Sequence, residues 1–244
     1  MSPTQHRLEI FIDIFDEKNQ RAWPLPEIRP TEFIASILQE FRGPAMSYLG
    51  DDPVDYLLVR SDGGASLNAD TPLGDQLNEG EHLILREHLP QIPPGSRTTS
   101  RRLYLREPSN NRIFRIFWVP AIIGRPDPSM LDNELLAVNL RNMETGSRVS
   151  RRHARIIEEN NVFFIQSLSP NPTTVRHKSE DTPIPVDSEL IPLTHGDLIS
   201  LERSHIKLQV IIREESATFS HILESENMSE DQASPAEKGG GDAS

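Results

Sequence analysis

The chain contains no cysteine among its 244 residues. Disulfide bonds, thiolate metal sites and cysteine nucleophiles are therefore excluded, and the absence fits a reducing cytoplasm. No apolar run approaches the length that spans a bilayer, and the opening residues MSPTQHRLEI lack the apolar core of a signal peptide. We accordingly expect a cytoplasmic protein without membrane insertion.

Basic residues are outnumbered by acidic ones, 25 Lys and Arg against 37 Asp and Glu, so the formal net charge is -12 at pH 7. Most of the surface would repel phosphate backbones and anionic lipids, which argues against general binding of nucleic acid or membranes. Any site for an anion must therefore be local. The 20 prolines favour short strands and loops over long helices.

The first segment of the chain alternates apolar and polar residues, which predicts a half-buried strand. The apolar face of this strand consists of Leu8, Ile10, Ile12 and Ile14. The polar run DEKNQ predicts a turn, and RAWPL continues as an extended run. Thr31 is the predicted N-cap of a helix that ends near Gly43. Two more strands are predicted in DYLLVR and GEHLILRE.

The order strand, strand, helix, strand, strand within residues 6–88 ends in TPLGDQL and GEHLIL. It resembles the ubiquitin-like β-grasp fold, particularly its bacterial YukD-like branch. The resemblance implies an α+β docking domain and a link to type VII secretion. Conjugation is not expected, because the last strand continues into another domain.

The remaining chain divides into a linker, a second domain and a tail. Residues 89–101 are rich in proline, serine and threonine and predict a semi-stiff linker. Residues 102–213 contain several short strand patterns separated by Pro, Asn, Asp and Gly, which predicts an all-β sandwich. Residues 214–244 are acidic and serine-rich, and they predict a disordered tail because they cannot bury enough apolar surface.

Four motifs follow one another in the predicted sandwich: AIIGR, VSRRHARI, SLSPNPTTV and HGDLISL. In this order they resemble the forkhead-associated (FHA) domain, a β-sandwich whose loops at one end bind phosphothreonine peptides. The resemblance implies a non-enzymatic adaptor that binds a phosphothreonine-containing protein in a Ser/Thr kinase pathway. The partner would be the kinase or its substrate, and a secretion-system component is a further candidate.

The chemistry of such a ligand selects the candidate residues. A phosphothreonine brings nearly two negative charges and three acceptor oxygens, which suit arginine forks and short hydroxyl donors. Arg125 follows a glycine at a strand end and is the predicted principal phosphate ligand. Ser150 is predicted to donate to a phosphate oxygen. By resemblance, Arg151 supplies a second phosphate contact and Asn171 holds the peptide backbone.

Three further residues are predicted to support the site without touching the ligand: Gly124, His153 and Gly196. By resemblance, His153 supports the loop that carries Ser150, here called the serine loop. Gly196 forms a turn with Asp197 before a strand. The other histidines show no ligand spacing with His153. We expect no metal and no cofactor.

One loop departs from the FHA pattern, in which Ser-x-Asn-Gly-Thr is common. The chain has Pro170 and Pro172 on either side of Asn171. Pro170 offers neither a hydroxyl nor an N–H, and Pro172 replaces a glycine that could adopt positive φ. The alternative function is therefore a phosphate-independent interaction module with a degenerate site.

Two other readings are weaker, and one regulatory hypothesis remains. Nucleic-acid binding through the arginines between 141 and 155 conflicts with the net charge. An enzyme is disfavoured, because the chain has neither a phosphate-binding P-loop nor a nucleophile elbow. Thr98 or Thr99 of the linker, once phosphorylated, could occupy the site of the same or of a second copy.

Overall fold

The computed structural model describes residues 6–127, 129 and 134–214. One helix, α1, spans Pro30–Phe41. The strands are β1 (Ile10–Ile14), β2 (Glu17–Ala22), β3 (Tyr56–Arg60), β4 (His82–Glu87), β5 (Arg97–Glu107), β6 (Arg112–Val119), β7 (Ala121–Gly124), β8 (Leu136–Asn139), β9 (Arg152–Glu159), β10 (Val162–Ser167), β11 (Thr173–Arg176), β12 (Ile184–Val186), β13 (Ile191–Leu193), β14 (Leu198–Leu201) and β15 (Ile206–Arg213).

The N-terminal segment forms a four-stranded sheet in the order β2-β1-β4-β3. Strands β1 and β4 are parallel, whereas β2 and β3 lie antiparallel at the two edges. The helix buries its apolar stripe (Phe33, Ile34, Ile37 and Leu38) in the same core as the alternate isoleucines of β1. The predicted element order is therefore present, and the assignment to the ubiquitin-like fold stays a prediction.

Two local predictions in this segment are wrong. The run DEKNQ is not a turn, because Glu17 already begins β2 and the chain reverses at Phe15, whose φ is +52°. As an exposed edge strand, β2 needs no apolar alternation, so its residues look like a turn. The helix begins at Pro30 with Arg29 as its N-cap, not Thr31. The carboxylate of Glu32 accepts a hydrogen bond from the Arg29 N–H at 2.8 Å, which satisfies a group at the open helix end.

The rest of the described chain is a sandwich of two sheets. One sheet has the order β13-β10-β9-β7-β8 and the other β12-β11-β14-β15-β5-β6. Between them lies an apolar core to which nearly every strand contributes, including Ala154 and Ile156 of β9. This confirms the prediction of a mainly β-sheet sandwich. Strands β12 and β13 were not predicted, because each has only three residues and a central proline.

The predicted linker is shorter than expected. Strand β5 begins at Arg97 and pairs with the end of β6, so residues 97–101 belong to the sandwich. Thr99 is buried, while Thr98 is exposed and pairs with Trp118. Thr98 is therefore held in a strand pair and does not lie in a free linker. Beyond Glu214, the predicted disordered tail lies outside the described residues.

The middle of strand β5, residues 102–105, is buried on both faces, which joins the N-terminal segment to the sandwich. Leu103 and Leu105 lie in the sandwich core, whereas Tyr104 between them lies in the core of the N-terminal segment. The Tyr104 ring is 5.4 Å from the ring of Tyr48. Strand β15 likewise contributes Ile211 to the N-terminal core. The two segments therefore share an aromatic and aliphatic interface.

The helical segments in the described part of the chain are too short or too polar to cross a bilayer. Within the same residues, no three His, Cys, Asp or Glu side chains cluster closely enough to hold a metal ion.

Candidate functional site

Gly124 ends β7 at a point where two strands approach unusually closely. A Cβ atom at this position would lie 2.1 Å from the carbonyl oxygen of Arg151 and 3.0 Å from that of Ser150. Any side chain at 124 would therefore push the serine loop away. The close approach also allows the Arg125 N–H to donate to the Arg151 carbonyl at 3.2 Å.

The guanidinium of Arg125 is fixed by one of its nitrogens. Its Nε donates to the carbonyl of Val149 at 2.8 Å. Arginine has five N–H donors in a planar fork, and this bond uses one of them and sets the plane of the rest. The residue is partly exposed. Its side chain is therefore already restricted before a ligand binds, and its terminal nitrogens remain to contact a ligand beside Ser150.

His153 lies beneath that loop and is only 1% exposed. Its Nδ1 accepts a hydrogen bond from the Ser150 backbone N–H at 3.4 Å, so the ring proton is on Nε2. Nε2 then donates to the Thr173 hydroxyl at 2.9 Å. Burial lowers the pKa of His153, which favours the neutral ring that both bonds require.

The same contacts separate this site from a hydrolase. The imidazole meets the backbone of Ser150 and not its hydroxyl, so it is not placed to remove the hydroxyl proton. Thr173, which completes the support, was missed by the sequence analysis. It lies in the SLSPNPTTV motif at the first position of β11, and nothing in the motif distinguishes it from Thr174.

Asn171 lies directly beside Ser150 in spite of the two prolines. Its Nδ2 donates to the Ser150 hydroxyl oxygen at 2.8 Å, and its backbone N–H donates to the Ser169 hydroxyl at 3.2 Å. Because the Ser150 oxygen accepts from Asn171, the hydroxyl proton of Ser150 remains the group to offer to an acceptor. The loop thus brings Ser150 and Asn171 together by bonds that need neither a hydroxyl at position 170 nor a glycine at position 172.

Arg151 has a partner that the sequence analysis did not identify. Its Nε lies 3.1 Å from a carboxylate oxygen of Asp127, and its side chain is 58% exposed against 9% for Asp127. The other Asp127 oxygen accepts from the backbone N–H of Ser129 at 3.1 Å and from its hydroxyl at 2.8 Å. These bonds and then the charges of Arg151 and Arg125 lower the pKa of Asp127.

Gly196 does not lie with the other site residues. Strand β14 begins opposite Arg176 and ends opposite Thr173, so the turn before β14 is at the end of the sandwich away from Asn171. Gly196 adopts a φ of +95° there, and its N–H donates to the Val210 carbonyl at 2.8 Å. Gly196 is therefore a residue of the turn before β14, as the sequence predicts, and the prediction that it also supports the site is wrong.

The basic cluster that marks this region of the sequence is also divided. Arg155 lies in the middle of β9 and donates to Gln166 of β10 at 2.7 Å, so it faces out from the sheet. Arg148 is exposed in a short 3-10 turn just before Ser150, and Arg141 is exposed in the preceding loop. The loop end of the sandwich therefore carries a local group of arginines on an acidic protein.

A comparison of the chain with protein-family models finds the FHA domain at residues 122–202. These residues include Arg125, Ser150, His153 and Asn171. The FHA assignment is thereby confirmed for this part of the chain, while the YukD-like assignment of the N-terminal segment stays a prediction. No curated protein matches the chain.

Several solved structures are similar to part of this chain. The FHA domain of human APLF, solved with an XRCC1 bisphospho peptide, is 19% identical and aligns over 45% of this chain and 97% of its own, with a TM-score of 0.34. Mycobacterium tuberculosis EmbR, solved with a low-affinity phosphopeptide, is 22% identical over 47% of this chain and 25% of its own, with a TM-score of 0.35. The yeast Dun1 FHA domain, solved with a doubly phosphorylated peptide, is 16% identical over 65% of this chain and 99% of its own, with a TM-score of 0.34.

Proposed function

We propose that the protein is a non-enzymatic adaptor whose sandwich binds a phosphothreonine segment of a partner protein. The observation that carries the proposal is the convergence of Arg125, Ser150 and Asn171 at one end of the sandwich, within 122–202. Arg125 would form a charge-assisted fork to the phosphate, and Ser150 would donate its hydroxyl proton to a second phosphate oxygen. Asn171 would keep an amide group for the peptide backbone.

The support beneath these residues suits recognition of an anion. His153 is buried and neutral, so its two hydrogen bonds hold the Ser150 backbone without placing a charge beneath the ligand. Gly124 lets β7 deliver Arg125 to the same loop. A rigid frame of this kind lowers the entropy that the ligand groups lose on binding.

The partner in this proposal is a Ser/Thr protein kinase or one of its substrates, met in the cytoplasm. The N-terminal segment, as a ubiquitin-like domain, would dock a second partner, with a type VII secretion component as the candidate that its resemblance suggests. Its strand order and its helix support the fold. Because Tyr104 and Ile211 occupy one side of its core, docking would use its outward surfaces.

The test is a calorimetric titration of the full chain with a degenerate phosphothreonine peptide pool and with the same pool unphosphorylated. We expect binding to the phosphorylated pool only. Arg125→Ala should weaken it by about 3 kcal/mol, roughly 100-fold, as expected for the loss of a hydrogen-bonded charge.

Arg155→Ala is the matched control, because it removes the same charge from a side chain that binds Gln166 on the outer face of the sheet. It should leave affinity within about twofold, since Arg155 faces out from the sheet, bonds to Gln166, and its partly exposed charge is screened by salt. Equal binding to both pools, retained in Arg125→Ala, would refute the proposal and favour a phosphate-independent interaction module.

A further inference from the structure

The proposed phosphate site contains a carboxylate as well as its arginines. Asp127 follows Arg125 by two residues, and one of its oxygens lies 3.1 Å from Nε of Arg151. An acidic side chain in a site for an anion opposes the ligand by Coulomb repulsion.

The Asp127 carboxylate is held in place. Two hydrogen bonds from Ser129, one from its backbone N–H and one from its hydroxyl, fix the oxygen that does not face Arg151. Its side chain is 9% exposed, whereas that of Arg151 is 58% exposed. The acid is therefore the buried member of the pair and is held by Ser129, whereas the arginine is the exposed member.

This geometry has a direct consequence for the arginine. A guanidinium that is paired with a carboxylate must break that ion pair, or divide its N–H donors between the two anions, before it can bind a phosphate oxygen. Arg125 is held differently, because its Nε donates to the neutral carbonyl of Val149, and its charge acts on Asp127 less strongly than that of Arg151. The two arginines of the site therefore differ in their contacts. Arg125 is bonded to a neutral carbonyl, whereas Arg151 is paired with a carboxylate of the protein.

We propose that Asp127 weakens phosphate binding by holding Arg151 in an ion pair that competes with the phosphate, an inference that rests on the proposed function. Arg125 supplies the anchoring charge, and Asp127 sets how much Arg151 can add. The result is a site whose affinity for phosphate is lower than its two arginines would otherwise give. Asp127 is in this sense an affinity-setting residue and not a phosphate ligand.

The experiment measures inorganic phosphate binding to the full chain through the Nε–Hε NMR signals of its arginines. Asp127→Asn keeps the size of the side chain and removes its charge, and it should bind phosphate about fivefold more tightly, the effect of losing an exposed competing ion pair. The Arg151 signal should shift with phosphate far more in this variant than in the parent protein.

Glu202→Gln is the matched control. Glu202 is exposed at the same end of the sandwich and accepts from the Thr174 hydroxyl at 2.7 Å, so the substitution removes one negative charge without touching Arg151. It should change phosphate affinity by less than twofold, since a solvated charge at a distance is screened. An equal gain in both variants would mean a general charge effect and would overturn the proposal.

A mutant cycle separates attenuation from the opposite role. Arg151→Ala should weaken phosphate binding more in the Asp127→Asn protein than in the parent, because only there is Arg151 released. Weaker phosphate binding in Asp127→Asn would instead show that Asp127 aims Arg151 at the ligand. If the phosphate results hold and the peptide pool fails to bind, the proposed function fails and the role of Asp127 stands.

Discussion

The two ends of the sandwich both contain partly buried polar networks, and they use them differently. At the loop end, Arg125, Ser150 and Asn171 are held by hydrogen bonds that leave donors for a ligand. At the other end, two buried carboxylates, Asp197 and Glu158, receive hydrogen bonds from their own surroundings. We call the end with Arg125, Ser150 and Asn171 the open end, because it keeps donors for a ligand. We call the end with Asp197 and Glu158 the closed end, because its acceptors are bonded within the protein.

The closed end owes its stability to saturation of its acceptors. Asp197 is fully buried and accepts from the N–H and hydroxyl of Thr194, from the ring of His177 and from the N–H of Lys178. Glu158 accepts from Arg97 at 2.8 Å and also binds the backbone and hydroxyl of Ser100. Buried charges are tolerated in proteins when every acceptor is used in this way.

The difference shows how the same residue types can serve a fold or a site. A network in which every acceptor has its donor contributes to stability and has nothing to offer a ligand. A network with remaining donors costs some stability and can bind. Substitutions at the two ends should therefore separate into effects on the free energy of unfolding and effects on phosphopeptide affinity.

The largest effect on stability is expected at the closed end, from Asp197→Ala. It leaves the donors of Thr194, His177 and Lys178 without their acceptor, and removing one member of such a buried set typically costs about 4 kcal/mol. Denaturant unfolding measures this, with the exposed Asp181→Ala as a control that should stay within about 0.5 kcal/mol. Phosphopeptide affinity of the remaining folded protein should not change.

The same carboxylate should contribute to acid sensitivity. Burial raises the pKa of Asp197, but the hydrogen bonds from Thr194, His177 and Lys178 outweigh it and lower the folded-state pKa. Its contribution is therefore present above the unfolded-state pKa and is lost as pH falls through the folded-state value. The gap in stability between the parent protein and Asp197→Ala should narrow in acid, and a constant gap would contradict this account.

A smaller effect on stability, combined with loss of binding, is expected at the open end from Gly124→Ala. The new methyl group would lie 2.1 Å from the Arg151 carbonyl oxygen, so the loop must move, at a cost of about 2 kcal/mol. Gly43→Ala is the control, because its nearest contact would be an ordinary 4.0 Å. Retention of full phosphopeptide affinity in Gly124→Ala would show that the close approach is not needed by the site.

The smallest effect is a pH dependence at the open end. Burial lowers the folded-state pKa of His153, so between that value and the unfolded-state pKa the unfolded chain binds more protons. Stability from this residue is complete above the unfolded-state pKa and falls as pH drops below it. The gap between the parent protein and His153→Gln should narrow from pH 7.5 to pH 5 in thermal unfolding, and a gap that widens would reverse the assignment of the neutral ring.

The sequence predicts those parts of the molecule whose signal is local. The alternate isoleucines of β1, the apolar stripe of α1 and the ordered motifs of the sandwich all depend on residues close together in the chain, and each lies where it was predicted. Arg125, Ser150 and Asn171 converge because their motifs end or begin strands at the same edge of the fold. Whether they bind phosphothreonine is a prediction that the titrations above decide.

The sequence does not predict contacts that depend on a distant partner. Nothing near Tyr104 in the chain indicates that β5 would be buried on both faces, and nothing near Asp127 points to Arg151. The start of β2 was placed too late, because an exposed edge strand carries no apolar pattern. In each case the information lies in a residue that only the fold brings close.

The double burial of β5 has a consequence for how the protein melts. A chain cut in the proline-rich stretch before β5 would expose Tyr104 and Ile211 on one piece and the rings of Phe15 and Tyr48 on the other. Because each piece needs the other to keep this apolar surface from water, we expect heat to denature residues 6–212 in one cooperative transition. The sequence predicts two domains joined by a linker, and the shared core leads us to expect that they unfold together.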